Sequence, residues 1–169
     1  MTEPRDISAV VDVPLGSEPS SERAATPEES IAMLVRSATT VDPGSATAHD
    51  LDALFRETAS LDDIVVADAG LPLGLVTRVA FSQQTAGPFG WSLQQRKPAL
   101  ALAKRSPLVV RAHVAITWLG KRAMRRPMED VYDPVVVIDA HGLLSGTVSM
   151  KDLLERSIEL QVAAAQGAS

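Results

Sequence analysis

The pattern that most constrains this chain is a strand, a returning strand and a helix start that occur twice, seventy-two residues apart. Val135-Val136-Val137-Ile138 is an uninterrupted β-branched run, as in a buried strand. Asp139-Ala140-His141-Gly142 is a turn by composition. Residues 143–148 then return as a second strand, and Ser149 stands where a helix N-cap would stand. Earlier in the chain, Ile64-Val65-Val66-Ala67-Asp68 and Leu73-Gly74-Leu75-Val76-Thr77 follow the same order. Gly74 matches Gly146, Val76 matches Val148 and Thr77 matches Ser149. Upstream of each strand pair lies a helical stretch, residues 48–58 and 115–125. Each copy therefore reads β-α-β-β-α. A unit of that size cannot bury its sheet alone, whereas two copies packed sheet to sheet can. The expectation is an α/β fold of two such units related by a pseudo-twofold axis.

The second copy carries the more complete helix start. In Gly146-Thr147-Val148-Ser149-Met150-Lys151-Asp152, a hydroxyl and a carboxylate three residues apart meet the unpaired N–H groups of one helix N-terminus. The N–H groups can hold a phosphate, and the carboxylate can accept hydrogen bonds from the two hydroxyls of a ribose. Hydroxyl plus acid suits a nucleotide better than a bare anion. The same residues also read as a plain cap, with Asp152 favouring the helix dipole. In the first copy Ala80 stands where the acid would be.

The repeated unit, with its Gly-x-x-Ser/Thr-x-x-Asp element complete in the second copy alone, resembles CBS (cystathionine β-synthase) domain pairs, or Bateman modules, over roughly residues 30–160. The segments Phe89-Gly90-Trp91-Ser92-Leu93-Gln94-Gln95-Arg96-Lys97-Pro98 and 151–161 look like bacterial CBS pairs that precede diguanylate cyclase (GGDEF) domains. Here the sequence ends soon after Gln161, which suggests a stand-alone module. The resemblance implies tandem CBS repeats and a non-enzymatic, regulatory role. It also implies a cleft ligand such as AMP, ADP or ATP, with no required cofactor, and a homodimer. Ser149, Asp152 and Gly146 would form the retained site: Asp152 on the ribose hydroxyls, Ser149 and nearby N–H groups on the phosphate, Gly146 allowing close backbone approach. The strand at Thr39-Thr40-Val41 would line the site completed by the second helix, so Thr39 and Thr40 are candidates beside the reading of a solvated edge. Thr77 and Arg78 are the candidates in the degenerate first site. The expected organisation is a disordered tail over 1–28, repeat 1 over 29–82, a linker with a short helix over 83–107, and repeat 2 with a C-terminal helix over 108–163.

Composition limits the alternatives. There is no cysteine, which excludes disulfides, thiol catalysis and cysteine metal sites. The first residues lack an apolar signal region, and no apolar run approaches the ~20 residues of a membrane helix. A cytoplasmic protein without a membrane partner is expected. Pro4, Pro14, Pro19 and Pro27 punctuate a Ser- and Glu-rich tail. Thr26-Pro27-Glu28-Glu29 then forms a helix start whose apolar face is Ile31, Leu34 and Val35. In the linker, Gly87-Pro88 reads as a turn and residues 98–104 as a short helix. Phe89 and Trp91 can stack a base or pack within the fold. His49, His113 and His141 have no metal-ligand spacing, and Asp62-Asp63 read as loop and strand start rather than as an acid–base pair.

Charge is unevenly spread. Between Asp68 and Glu129 there is no acidic residue but ten basic ones: Arg78, Arg96, Lys97, Lys104, Arg105, Arg111, Lys121, Arg122, Arg125 and Arg126. The other residues carry 6 basic and 21 acidic groups, so −15 outside and +10 inside give the net −5. Such a segment attracts anions, an acidic partner or nucleic acid, or is neutralised within the fold. The acidic overall balance speaks against nucleic acid as a partner. Beyond Asp152 an apolar stripe of Leu154, Ile158, Val162 and Ala165, with Gln161 beside it, runs past the end of a CBS unit. It predicts a helix that buries itself against a second copy. Three functions follow: a nucleotide-sensing module signalling through a regulatory protein partner, a ligand-free structural module, or a nucleic-acid-associated protein.

Overall fold

Each sheet starts from a central strand of residues that fit a buried pleat. The computed structural model describes residues 29–168. These form two units, residues 38–107 and residues 29–37 with 108–168. The proposed tail over 1–28, including Thr26-Pro27-Glu28, lies outside the described residues.

In the first unit β1 (Thr40–Val41) runs parallel to β2 (Asp63–Asp68), which pairs antiparallel with β3 (Leu71–Thr77). A parallel pair needs a crossover, here α1 (Ala48–Glu57). Thr47 and Asp50 close a capping box at its start: the Thr47 N–H donates to Asp50 Oδ2 at 2.8 Å. The antiparallel pair needs only a tight turn. Ala69 and Gly70 both have positive φ (48° and 85°), as in the two-residue turns that match strand twist. After β3 come α2 (Arg78–Thr85), α3 (Gly90–Gln94) and α4 (Ala99–Leu102). Leu51 and Phe55 of α1, Ile64 and Val66 of β2, Val76 of β3 and Phe81 of α2 are buried together. The Phe55 and Phe81 rings lie 5.4 Å apart.

The second unit repeats this order. β4 (Val109–Arg111) is parallel to β5 (Val135–Ile138), β5 is antiparallel to β6 (Leu144–Val148), and α5 (Ile116–Met124) and α6 (Met150–Gly167) follow β4 and β6. Its core gathers Ile116, Leu119, Val135, Val137, Val148 and Leu153. Fully burying one such side chain contributes about 1.5–3 kcal/mol, so β-branched strands and the leucines of the helices supply much of the stability.

The two registers coincide. Val66 faces Gly74, as Val137 faces Gly146; Ile64 faces Val76, as Val135 faces Val148. The spacing of seventy-two holds for the returning strand and the helix cap. The outgoing strand is displaced by seventy-one, because the second hairpin has one more residue. Its turn is closed by Asp139, whose Oδ1 accepts from the N–H groups of His141 (2.8 Å) and Leu143 (3.0 Å).

The segment ahead of each repeat does not stay with it. Residues 29–37 precede β1 yet fold with the second unit, and the linker over 83–107 folds with the first. Ile31 N–H donates to Val114 O, and Arg36 exchanges two bonds with Thr147. In the first unit Ala99 N–H donates to Ala46 O, and Lys104 exchanges two bonds with Leu75. The two leaders are thus used in the same way. Each expected leader helix is shortened by that pairing. The first is one 3-10 turn, Ile31–Leu34, with Ser30 Oγ accepting from Ala32 N–H at 3.2 Å. The second is α4 alone, because Ala103 turns extended to reach β3.

Candidate functional site

At the start of α6 the structure gathers Gly146, Ser149, Asp152 and a residue that the sequence did not single out, Arg36. Ser149 is the N-cap: its backbone is extended and its Oγ accepts from Asp152 N–H at 3.1 Å. Asp152 lies in the first turn, with its side chain 20% exposed. Arg36 Nη2 stands 2.7 Å from Asp152 Oδ2, while the Arg36 side chain is 69% exposed. The guanidinium is delivered by the backbone. Arg36 N–H donates to Thr147 O and Thr147 N–H donates to Arg36 O, both at 2.9 Å. That bridge requires Gly146, because a Cβ there would collide with the Arg36 carbonyl and stand 2.8 Å from Val35 Cγ1. The close approach that Gly146 permits is therefore taken by the chain itself.

The first unit has the same frame and different contents. Thr77 caps α2, its Oγ1 accepting from Ala80 N–H at 3.2 Å. Gly74 admits the leader as Gly146 does: a Cβ would meet Ala103 Cβ at 2.8 Å and Lys104 O at 3.1 Å. Arg78 sits at that helix start, but its guanidinium is spent on carbonyls at the end of α1. Nε donates to Leu61 O and Nη2 to Thr58 O, both at 2.8 Å, and the group lies 5.0 Å from the Phe55 ring centre. In these contacts the guanidinium serves the fold rather than an anion. Thr40 pairs with Val65 as the first residue of β1, and the Thr39 carbonyl accepts from Val65 N–H.

Asp63, the first residue of β2, faces Thr77 across the sheet. Burial, and then the charge of Asp62, push its carboxyl above the usual carboxylate range. Asp50 and Asp139 move the opposite way, chiefly because backbone N–H groups donate to them: Thr47 to Asp50, Leu143 and His141 to Asp139.

The basic segment divides by role. Arg126 is drawn into the second unit, donating to Ala123 O (3.0 Å), Val131 O (3.2 Å) and Asp133 O (2.9 Å). Burial lowers its pKa against the pull of Asp133 and Asp130. Lys121 on α5 and Arg125 at its C-cap remain exposed. His49 lies against Trp91, ring centres 6.2 Å apart. Among the described residues no group of three or more His, Cys, Asp or Glu is placed to hold a metal ion. Among the described residues no helix is long and apolar enough to cross a membrane.

No protein-family model matches this sequence, and no curated protein does so either. Solved structures do match. The CBS domain protein PAE2072 from Pyrobaculum aerophilum, solved in complex with AMP, is 22% identical with a TM-score of 0.62 over 80% of this chain and 98% of its own. This chain has the fold of a CBS domain pair. The CBS-pair protein CBSX2 from Arabidopsis thaliana is 20% identical with a TM-score of 0.62, over 78% of this chain and 96% of its own. The cytosolic domain of the Mg2+ channel MgtE, in complex with ATP, gives 19% and 0.59 over 76% of this chain and 48% of its own. The CBS-pair likeness thus rests on backbone topology, which both units share with these proteins.

Proposed function

We propose that this protein is a non-enzymatic CBS-pair regulatory module that senses an adenine nucleotide at the start of α6 and passes its state to a protein partner. The observation that carries the reading is Asp152: a sheltered carboxylate in the first turn of a Ser-capped helix, within a fold shared with proteins solved with AMP and ATP. Asp152 takes the ribose hydroxyls, and the neighbouring N–H groups take the phosphate. The first unit has Ala80 at the equivalent position and is the weaker or empty site. Thr77 stays a secondary candidate there.

Calorimetry with AMP, ADP and ATP tests this directly. At least one nucleotide should bind, and Asp152→Ala should weaken it by about 1.5–3 kcal/mol per lost charge-assisted bond. Unchanged affinity in the variant leaves Asp152 as a helix-end charge and overturns the assignment. A second reading, a structural module without ligand, is favoured by the Arg36–Asp152 ion pair, which already occupies the carboxylate. Failure of all three nucleotides to bind selects it.

The partners proposed are a second copy of this chain and a regulatory output protein. The likeness of residues 89–98 and 151–161 to cyclase-linked pairs supports α6 as the element that carries the signal. The acidic balance of the whole chain supports a protein partner over nucleic acid, and the proposed compartment is the cytoplasm.

A further inference from the structure

We infer that Arg36 is the residue that makes this site prefer a phosphorylated nucleoside over the bare nucleoside. The inference rests on the nucleotide reading of the α6 site and adds to it a group contributed by the leader segment. Three observations carry it.

The first is the asymmetry of the ion pair. Asp152 is sheltered and Arg36 is largely in solvent, with Nη2 2.7 Å from Oδ2. A pair with so exposed a cation is held weakly, because water competes for the guanidinium. A ribose diol arriving at Asp152 can displace it.

The second is the anchoring of the arginine. Two backbone bonds to Thr147 fix its main chain beside Gly146, and Thr147 lies two residues before the Ser149 cap. A displaced guanidinium therefore remains within a side chain's reach of the helix N-terminus. A ligand whose diol has taken Asp152 offers it a phosphate in exchange, and arginine is suited to hold phosphate through two parallel bonds. A nucleoside breaks the ion pair and returns nothing to the arginine.

The third is the recurrence of a cation. Lys104 holds in the first unit the register position that Arg36 holds in the second, each exchanging two bonds with the residue that follows the matching glycine. The acid has become Ala80 in the first unit, yet the basic residue is kept. A basic residue thus stands at this register position both with and without that acid.

Calorimetry with adenosine and AMP on the full chain, its Arg36→Gln variant and its Arg36→Lys variant tests this, with circular dichroism to verify the fold. The bonds to Thr147 are backbone bonds, so the substitutions leave the leader in place. In Arg36→Gln, AMP affinity should fall about tenfold, as for one lost charge-assisted bond, while adenosine affinity holds or rises. Arg36→Lys should lie between. Equal loss for both ligands makes Arg36 structural. Gain for both, or for adenosine with AMP unchanged, makes it only a plug over Asp152. Either result overturns the inference while leaving nucleotide sensing intact. Absence of any binding, in wild type and variants alike, overturns the nucleotide reading and this inference together.

Discussion

Asp63 shows how one position in the strand can set a pH response. Its carboxyl is raised by burial and by Asp62, so the folded form holds its proton more tightly than the unfolded chain. The stability it contributes is fully present below the unfolded carboxylate range and is lost as pH rises through the folded value. At neutral pH the ionised group therefore opposes folding. Asp63→Asn should raise the thermal midpoint at pH 7 by about 1–3 °C, and the gain should vanish in acid. A midpoint difference independent of pH would show that packing, not charge, decides that position. Asp50 and Asp139 act in the other sense, since turn and cap N–H groups stabilise their charged forms. Their contribution is present above the ordinary carboxylate value and is lost as pH falls through the depressed one. The caps at Thr77 and Ser149 were legible in the sequence because a cap is a local bond between near neighbours. Arg36 was not. Nothing in its surroundings along the chain marks it, and its partner lies on a helix more than a hundred residues away.

Among the elements, α6 leaves the most unfinished surface. Met150, Leu153 and Ser157 are buried, and Leu154 and Leu160 pack on the core of their own unit. Ile158 and Val162 stay 61% and 50% exposed, and residues 161–168 are exposed throughout. The expected stripe thus splits: Leu154 is used at home and the rest is left over. Neighbouring α5, which meets α6 where a Cβ on Gly120 would stand 3.4 Å from Ser157 Oγ, exposes Met124 beside Lys121 and Arg125. Exposed Glu155 and Glu159 on α6 offer opposite charge. An apolar strip flanked by both signs of charge is self-complementary, as a twofold contact requires. Light scattering should find a dimer, and Ile158→Glu with Val162→Glu should shift it to monomer without loss of helix signal. A dimer that survives both substitutions would put the contact elsewhere.

On the scale of the whole molecule, the notable arrangement is the exchange of leaders. Ile31 is fully buried in the core of the second unit, although it precedes the first repeat. Truncating a buried isoleucine costs about 2–5 kcal/mol. Ile31→Ala should therefore lower amide protection in β4, β5 and β6 before it lowers protection in β1, β2 and β3, as read by hydrogen exchange. Equal loss in both sheets would mean that the two units open as one.

Sequence alone determined the repeat, the order of elements within each copy and the hydroxyl caps of α2 and α6. These depend on periodicity, turn chemistry and bonds between residues a few positions apart, all of which are written locally. Tertiary structure decided which unit each leader joins, where Gly146 and Gly74 are approached, and that Arg36 meets Asp152 while Arg78 serves the end of α1. Those outcomes depend on which strand edge is open to pairing and on which side chains a backbone bridge then carries with it, and neither is encoded by the spacing of residues along the chain.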